Sequence, residues 1–414
     1  MEKKTKEKVL KQIKEEKLAN FAQQILRIPS FKTEETHLAR FLANYFRRRG
    51  YQVELQEVEP GRFQTIATLK GSGGGKSLML NGHIDIDPLA MGWRRDPFNP
   101  TWEGDRIYGA GANNMKGGLA SLIGAAEALR KAKVSLKGDL IIACVVGELQ
   151  GGVGTIHALR QGLRTDMAIV AEPYGKDNIL TVHVGWIQIA IHTLGLSQHA
   201  SRLEKSIDAI EKMIKVIPAI KKTRFTYTPR PDLPDMPRLM VGCIIGGRGR
   251  DHDLKGPNFT SDFCTILADV RTVPGQTPAT VEADIRRTLD ALKAEDPELE
   301  YEIELPPPPH YKTQVVTMNP LDVPKDEYIV QSVVRNYQEL TGHPPATVGT
   351  LVPRSYAGND TCHLWEAGIP CVLYGPDGGR DEKGEPDGFV YLSHVVHCAK
   401  VIALTALEVC SIPK

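Results

Sequence analysis

A chain of 414 residues with 41% apolar content is longer than one compact core usually sustains, which predicts two domains with material for two interiors. Lys and Arg number 51 against 50 Asp and Glu, so no global field recruits nucleic acid or an anionic membrane, and neither is expected as a partner. The seven cysteines are odd in number, scattered and never spaced as CxxC, which argues against a disulfide framework or a structural zinc knot and predicts buried thiols in a reducing cytoplasm.

The opening segment, MEKKTKEKVLKQIKEEKLANFAQQILRIPSF, is basic but carries acidic residues and lacks the apolar core of a secretory signal, so it reads as amphipathic helix. No later stretch reaches the roughly 18 uninterrupted apolar residues of a spanning helix. QTIATLKG and KSLMLNGHID read as strands flanking a GSGGGK turn, GGLASLIGAAEALRKAK as a helix, and DLIIACVVGE and MAIVAEP as further apolar strands. Continuous apolar strands alternating with helices predict an α/β fold with a mainly parallel, doubly covered sheet, whose ligand sites lie at the carboxyl ends of its strands. From about Trp186 the texture changes. WIQIAIHTLG alternates as a half-buried strand, SRLEKSIDAIEKMIKVIPAI reads as helix, SDFCTILADVRTVPG as strand and ATVEADIRRTLDALKA as helix, the pattern of a small inserted α+β domain. The run ELPPPPHYKT marks the exit, after which helix and apolar-strand texture returns. The expected division is residues 1–185 and 306–414 for the larger domain and 186–305 for the insert. GSGGGK and GGRGR lack the strand-to-helix context of a nucleotide loop and read as turns.

His83 and Asp85 in NGHIDID close an apolar strand and place a carboxylate two residues from an imidazole, the geometry that orients a metal-bound histidine. Alone, such a pair is more often a structural hydrogen bond. The continuation GHIDIDP, W-x-x-DPF and GDRIYGAGANNMKGGLAS is far more specific. Together with GELQGGVGT, AIVAEP, SQHAS, ADVRTVPGQT, AGNDTCHLWEAGIPCVLYGP and PDGFVYL, all in order, the chain resembles the family of aminoacylase, acetylornithine deacetylase, succinyl-diaminopimelate desuccinylase and bacterial glutamate carboxypeptidase.

The resemblance implies a zinc-dependent hydrolase of C–N bonds, in which two ions share a bridging Asp. On that pattern His83 and Glu172 are ligands of the first metal, Asp85 orients His83, and Glu148 is the general base that moves a proton from the attacking water to the leaving amine. The departures are grouped. The bridging Asp is Asn114, a weak neutral ligand, and the two ligands exclusive to the second metal are replaced by Leu149 and Gly384. The expectation is therefore at most one divalent metal (zinc, manganese or cobalt), weakly held or absent, with His363, His394 and His397 as the histidines that could replace a lost ligand. In the insert, the resemblance makes His199 the oxyanion-stabilising residue given to a partner subunit, hence a homodimer through a lid and dimerisation domain. It makes Asn258 and Arg271 substrate-binding residues, Arg271 suited to a small substrate with a free carboxylate. Three functions follow: a deacylase or amidohydrolase on a small carboxylate-bearing amide or N-acyl amino acid derivative, a metal-independent acid–base enzyme on the same scaffold, or a non-catalytic relative that binds a small ligand.

Overall fold

The short apolar runs between Leu78 and Val170 form strands, and Gly185–Leu194 forms another in which seven of ten residues are buried, more than the half expected from its alternation, in a computed structural model that describes residues 3–89, 91–307, 317–380 and 387–414. The chain divides into two compact units. The first is Met1–Val182 with Asp322–Arg354 and Asn359–Lys414; the second is His183–Leu321 with Ser355–Gly358.

The first unit is built on an eight-stranded sheet among the described residues. In chain order its strands are β1 (Gln52–Glu59), β2 (Arg62–Leu69), β3 (Leu78–His83), β4 (Leu140–Val145), β5 (Met167–Val170), β6 (Asn178–Leu180), β7 (Thr347–Gly349) and β8 (Cys371–Leu373). They lie side by side as β1-β2-β4-β3-β5-β8-β6-β7. The central run from β4 to β8 is parallel, and β1, β2 and β4 join antiparallel. Every residue of β3, β4 and β5 is buried, as expected of parallel strands covered by helices. Among those helices are α1 (Lys3–Leu10), α2 (Glu15–Leu26), α3 (Thr36–Arg47) and α4 (Gly117–Ala132); α3 packs on β1 and β2, and α4 on β3 and β4.

The helix Leu392–Val409 is the one described helix long and apolar enough to cross a membrane by length and composition. Ser393, His394, His397, Lys400, Thr405 and Glu408 interrupt it, so it is not an uninterrupted apolar run, and 67% of it is buried inside the fold, where it packs along α4 as a core helix.

The second unit carries a four-stranded antiparallel sheet in the order Arg238–Gly247, Phe263–Thr272, Gly185–Leu194, Glu300–Glu304. Ile187, Ile189 and Ile191 alternate onto its core face and meet Met213 and Val216 of the helix Ala209–Ile220 and Ile285 and Leu289 of the helix Pro278–Glu295. The first of these helices starts later than its sequence suggests. Asp208 accepts a bond from the Ile210 amide at 2.8 Å and caps it, leaving Ala200–Lys205 as a separate short turn of 3₁₀ helix.

Candidate active site

Three neighbouring parallel strands, β4, β3 and β5, bring their carboxyl ends together, which is where an open α/β sheet forms its crevice. His83 ends β3 opposite Val145 of β4, and Glu148 follows in the turn beyond. Glu172 follows β5, whose Val170 pairs with Asn81 of β3. Two glycines make this convergence possible. Gly147 turns with φ 68°, and a Cβ there would lie 2.3 Å from Val153 Cγ2. Gly118, in the first turn of α4, would place a Cβ 2.0 Å from the Ala171 carbonyl, so the start of α4 and the Asn114 loop before it press on the residue preceding Glu172.

His83 is the hub. Its Nδ1 lies 3.0 Å from the Asp85 main-chain oxygen and 3.4 Å from Asp85 Oδ1. Its Nε2 lies 3.0 Å from Asn114 Oδ1, and 3.8 Å from both Glu148 Oε2 and Glu172 Oε1. Asp85 also ties His83 to the base-bearing turn, its Oδ1 accepting from the Glu148 amide at 3.3 Å and its Oδ2 from the Leu149 amide at 3.0 Å. Each ring nitrogen faces an acceptor, which favours the doubly protonated imidazole in the metal-free protein. Burial opposes the charge, but Asp85, Glu148 and Glu172 outweigh it and hold His83 well above its usual range. Burial raises Glu148 well above the usual carboxylate range, with Glu172, Asp360 and Asp85 adding repulsion against the pull of His83. Glu172 is pushed up to about 7 by burial. Asp85 goes the other way, since His83 and the Leu149 amide overcome its burial.

These residues fit one divalent ion. Among the described residues, His83, Glu148 and Glu172 form the group able to surround a metal, with one ligand atom from each and all three atoms within 4.8 Å of one another. A tetrahedral ion with ligands at about 2.1 Å needs them about 3.4 Å apart, close to the 3.8 Å separations here. Glu172 Oε1 is buried without a hydrogen-bond partner, as an oxygen waiting for a cation would be. Of the ligands that the family resemblance expects for a second ion, Leu149 gives the site a backbone amide, Asn114 offers a neutral carbonyl, and Gly384 lies outside the described residues. Of the alternative histidines, His363 points its Nε2 at the Gly151 carbonyl, 2.7 Å away, and His394 holds Asp377 Oδ1 at 2.6 Å through Nδ1. His397 Nε2 is buried without a partner, its ring against Tyr337. None of the three belongs to the His83 group.

Asp360 was not singled out by the sequence, although it sits in the landmark AGNDTCHLW. It is fully buried and pushed up to about 7 by burial, with the Thr155 hydroxyl its main relief and His83 and Asp85 within electrostatic reach. A Cβ on Gly152, in the turn that follows Glu148, would stand 2.5 Å from Asp360 Oδ1. Lys116, two residues past Asn114, is also buried; it donates to the Ile28 carbonyl at 2.8 Å and the Ile25 carbonyl at 3.2 Å, and burial brings it down to about 7.

This crowding has a measurable consequence for the metal-free protein. Glu148, Glu172, Asp360 and His83 all bind their protons more tightly folded than unfolded. The stability that Glu172 and Asp360 contribute is fully present below their unfolded values and is lost as pH rises through about 7, and that of His83 and Glu148 is lost as pH rises through their own raised values. Asp85 has the opposite sign and acts only in acid, below about pH 4. Lys116 and His397, which burial lowers, act with the opposite sign but are common to both forms, so the gap in thermal midpoint between zinc-saturated and chelated protein should widen between about pH 5 and pH 7. A gap that stays constant or narrows across that window contradicts the assignment.

In the second unit, His199 is exposed and caps the short turn, its Nδ1 accepting from the Ser201 amide at 3.2 Å, while its ring meets Phe259 edge-on at 5.2 Å. Asn258 is exposed and its carbonyl accepts from the Ala200 amide at 2.8 Å. Arg271 is engaged: Nε donates to Asp269 Oδ1 at 2.7 Å, Nη2 to Asp269 Oδ2 at 3.1 Å and Nη1 to the Tyr356 carbonyl at 3.2 Å. Asp269 is held in turn by the indole of Trp186.

Comparison with known proteins gives the chain relatives and a family. The formylaminopyrimidine deformylase of Bacillus subtilis (strain 168), which acts on N-formyl-4-amino-5-aminomethyl-2-methylpyrimidine, is 28% identical over 398 residues, covering 90% of this chain and 88% of that one. Acetylornithine deacetylase of Proteus mirabilis (strain HI4320) is 30% identical over 376 residues, 88% of each chain. The dipeptidase Dug1p of Saccharomyces cerevisiae shares the fold with a TM-score of 0.77 over 99% of both chains at 12% identity. The family model described as peptidase family M20/M25/M40 matches residues 79–408, from the strand that carries His83 to the end of the last helix, and the chain belongs to that family.

Proposed function

We propose that this protein is an amidohydrolase that removes a small acyl group from an amino compound, with one divalent metal at His83 and Glu172 and with Glu148 as the proton carrier. The observation that carries the reading is the buried His83, Glu148 and Glu172 group, tied together by Asp85. When bound, zinc, manganese or cobalt would supply a Lewis acid that polarises the acyl carbonyl and eases deprotonation of water. His83 gives up its Nε2 proton to become a ligand, while Asp85 keeps the Nδ1 proton and fixes the ring. Glu148, whose affinity for protons burial has raised, takes one from the attacking water and returns it to the leaving amine. Asn114 offers a neutral carbonyl, so the metal is held more loosely than by an anionic set. The formyl and acetyl groups named for the two relatives favour a short acyl group on a small amine or amino acid here. Carboxylate recognition by Arg271 requires the substrate to take the place of Asp269 on its guanidinium.

The test is turnover of a panel of N-formyl and N-acetyl amines and amino acids by untreated protein. Activity should vanish with chelator and return with zinc, manganese or cobalt. Activity indifferent to chelator would favour the second reading, for which the metal-free contact of an imidazolium with Glu148 at 3.8 Å speaks, and no turnover of any member would contradict both.

A homodimer through the second unit is part of the proposal. The strand Arg238–Gly247 is the unpaired edge of its sheet and exposes Met240, Ile244 and Ile245, and such an apolar edge is a template for pairing with a second copy. The double variant Met240→Lys, Ile244→Lys should halve the mass measured by light scattering; an unchanged mass would place the contact elsewhere. Six buried free thiols suit a cytoplasmic location.

A further inference from the structure

The first unit holds a cavity of about 260 Å³ between α2, the end of α3 and the second half of α4, lined by none of the residues discussed above. The apolar part of its lining comes from Ile13, Leu18, Phe21 and Ile123, and Tyr45 packs on Phe21 with ring centroids 4.7 Å apart. Its charges are one-sided. Lys14, Lys17, Arg49 and Lys131 line it against a single carboxylate, Glu127, four cations less one anion for a net +3 in a chain whose total is +1.

Glu127 is already saturated. It accepts from Tyr51 Oη at 3.0 Å and from Arg130 Nε and Nη2 at 2.8 and 2.9 Å, and Arg49 Nε approaches to 3.4 Å. Lys131 reaches it only at 3.7 Å, and Lys14 and Lys17 have no ion-pair partner among the described residues. Burial lowers the Lys131 ammonium from its usual range, and Lys17, Arg130 and Arg49 add repulsion to it against Glu127. Arg49 is held in place over the Tyr45 ring at 3.5 Å, donating from Nη1 to the Tyr45 carbonyl at 2.9 Å. A lining that is part apolar and part cationic, with a guanidinium fixed on Tyr45 and the ammonium groups of Lys14 and Lys17 without ion-pair partners among the described residues, is complementary to a molecule with a compact apolar body and an anionic end.

We propose that this cavity binds a small organic anion, an aromatic or compact aliphatic group bearing a carboxylate or phosphate. Its volume falls just below the roughly 300 Å³ at which drug-sized pockets begin, which sets the ligand at fragment size.

Isothermal titration of the full chain with phenyl phosphate, benzoate and inorganic phosphate at low salt tests this. Phenyl phosphate should bind at least about tenfold more tightly than inorganic phosphate, because the ring uses the apolar part of the lining, and its affinity should fall as salt rises. Benzoate binding as tightly as phenyl phosphate would assign the site to carboxylates; phenyl phosphate binding alone would assign it to phosphates. Lys17 and Lys131 are exposed, so the double variant Lys17→Glu, Lys131→Glu should keep the fold and lose at least about tenfold in affinity. Three results would overturn the proposal: the same affinity in that variant, inorganic phosphate binding as tightly as phenyl phosphate, or loss of binding in His83→Ala, which would put the anion at the catalytic centre.

Discussion

The triple variant Asn114→Asp, Leu149→Glu, Gly384→His is expected to bind two metal equivalents against the one proposed for the parent, and to hydrolyse N-acyl substrates faster. On the family pattern that the sequence resembles, the parent lacks the anion that two ions would share and both ligands peculiar to the second. Asn114 Oδ1 already lies 3.0 Å from His83 Nε2, so an aspartate there would point an anionic oxygen at the same centre. Leu149 is half-buried beside Glu148, and its amide is fixed on Asp85, so a glutamate side chain would leave a backbone already oriented towards the site. Any one of the three changes alone should leave the content at one, since a second ion needs its bridge and its own ligands together. Elemental analysis with assays on the same preparation checks this. A single equivalent in the triple variant would mean that the departures are not what limits the parent.

Glu148→Gln should lower kcat by about 10²- to 10⁴-fold, the contribution of a positioned proton carrier. The substitution also separates two roles. If Glu148 only carries protons, metal content stays that of the parent; if it also ligates, as its 3.8 Å approach to His83 Nε2 allows, content falls with the rate. The variant resembles the protonated carboxyl that burial favours in the metal-free state, so its chelated form should be no less stable than the parent and should lose part of the pH dependence. Full activity in Glu148→Gln would remove it from the mechanism.

The larger unit of the fold was readable because β3, β4 and β5 are buried on both faces and so appear as continuous apolar runs, and because His83 ends β3 while Glu148 and Glu172 fall just past β4 and β5. The strand Arg238–Gly247 was not readable. It is an edge whose apolar residues face outward as well as inward, and its GGRGR end resembles a turn. Asp360 gave no signal of its own, since one acid inside a loop landmark has no periodicity, and only the fold shows it buried against the turn after Glu148. The hold of Asp269 on Arg271 was available in principle, because residues two apart on a strand share a face. The cationic cavity combines side chains of three helices and the link before α2, and no local pattern announces it.

Metal content per chain, measured by elemental analysis on protein purified without chelator and alongside His83→Ala, tests the central claim most directly. One equivalent in the parent that disappears in the variant is the predicted result. Two equivalents in the parent, or none, would contradict it.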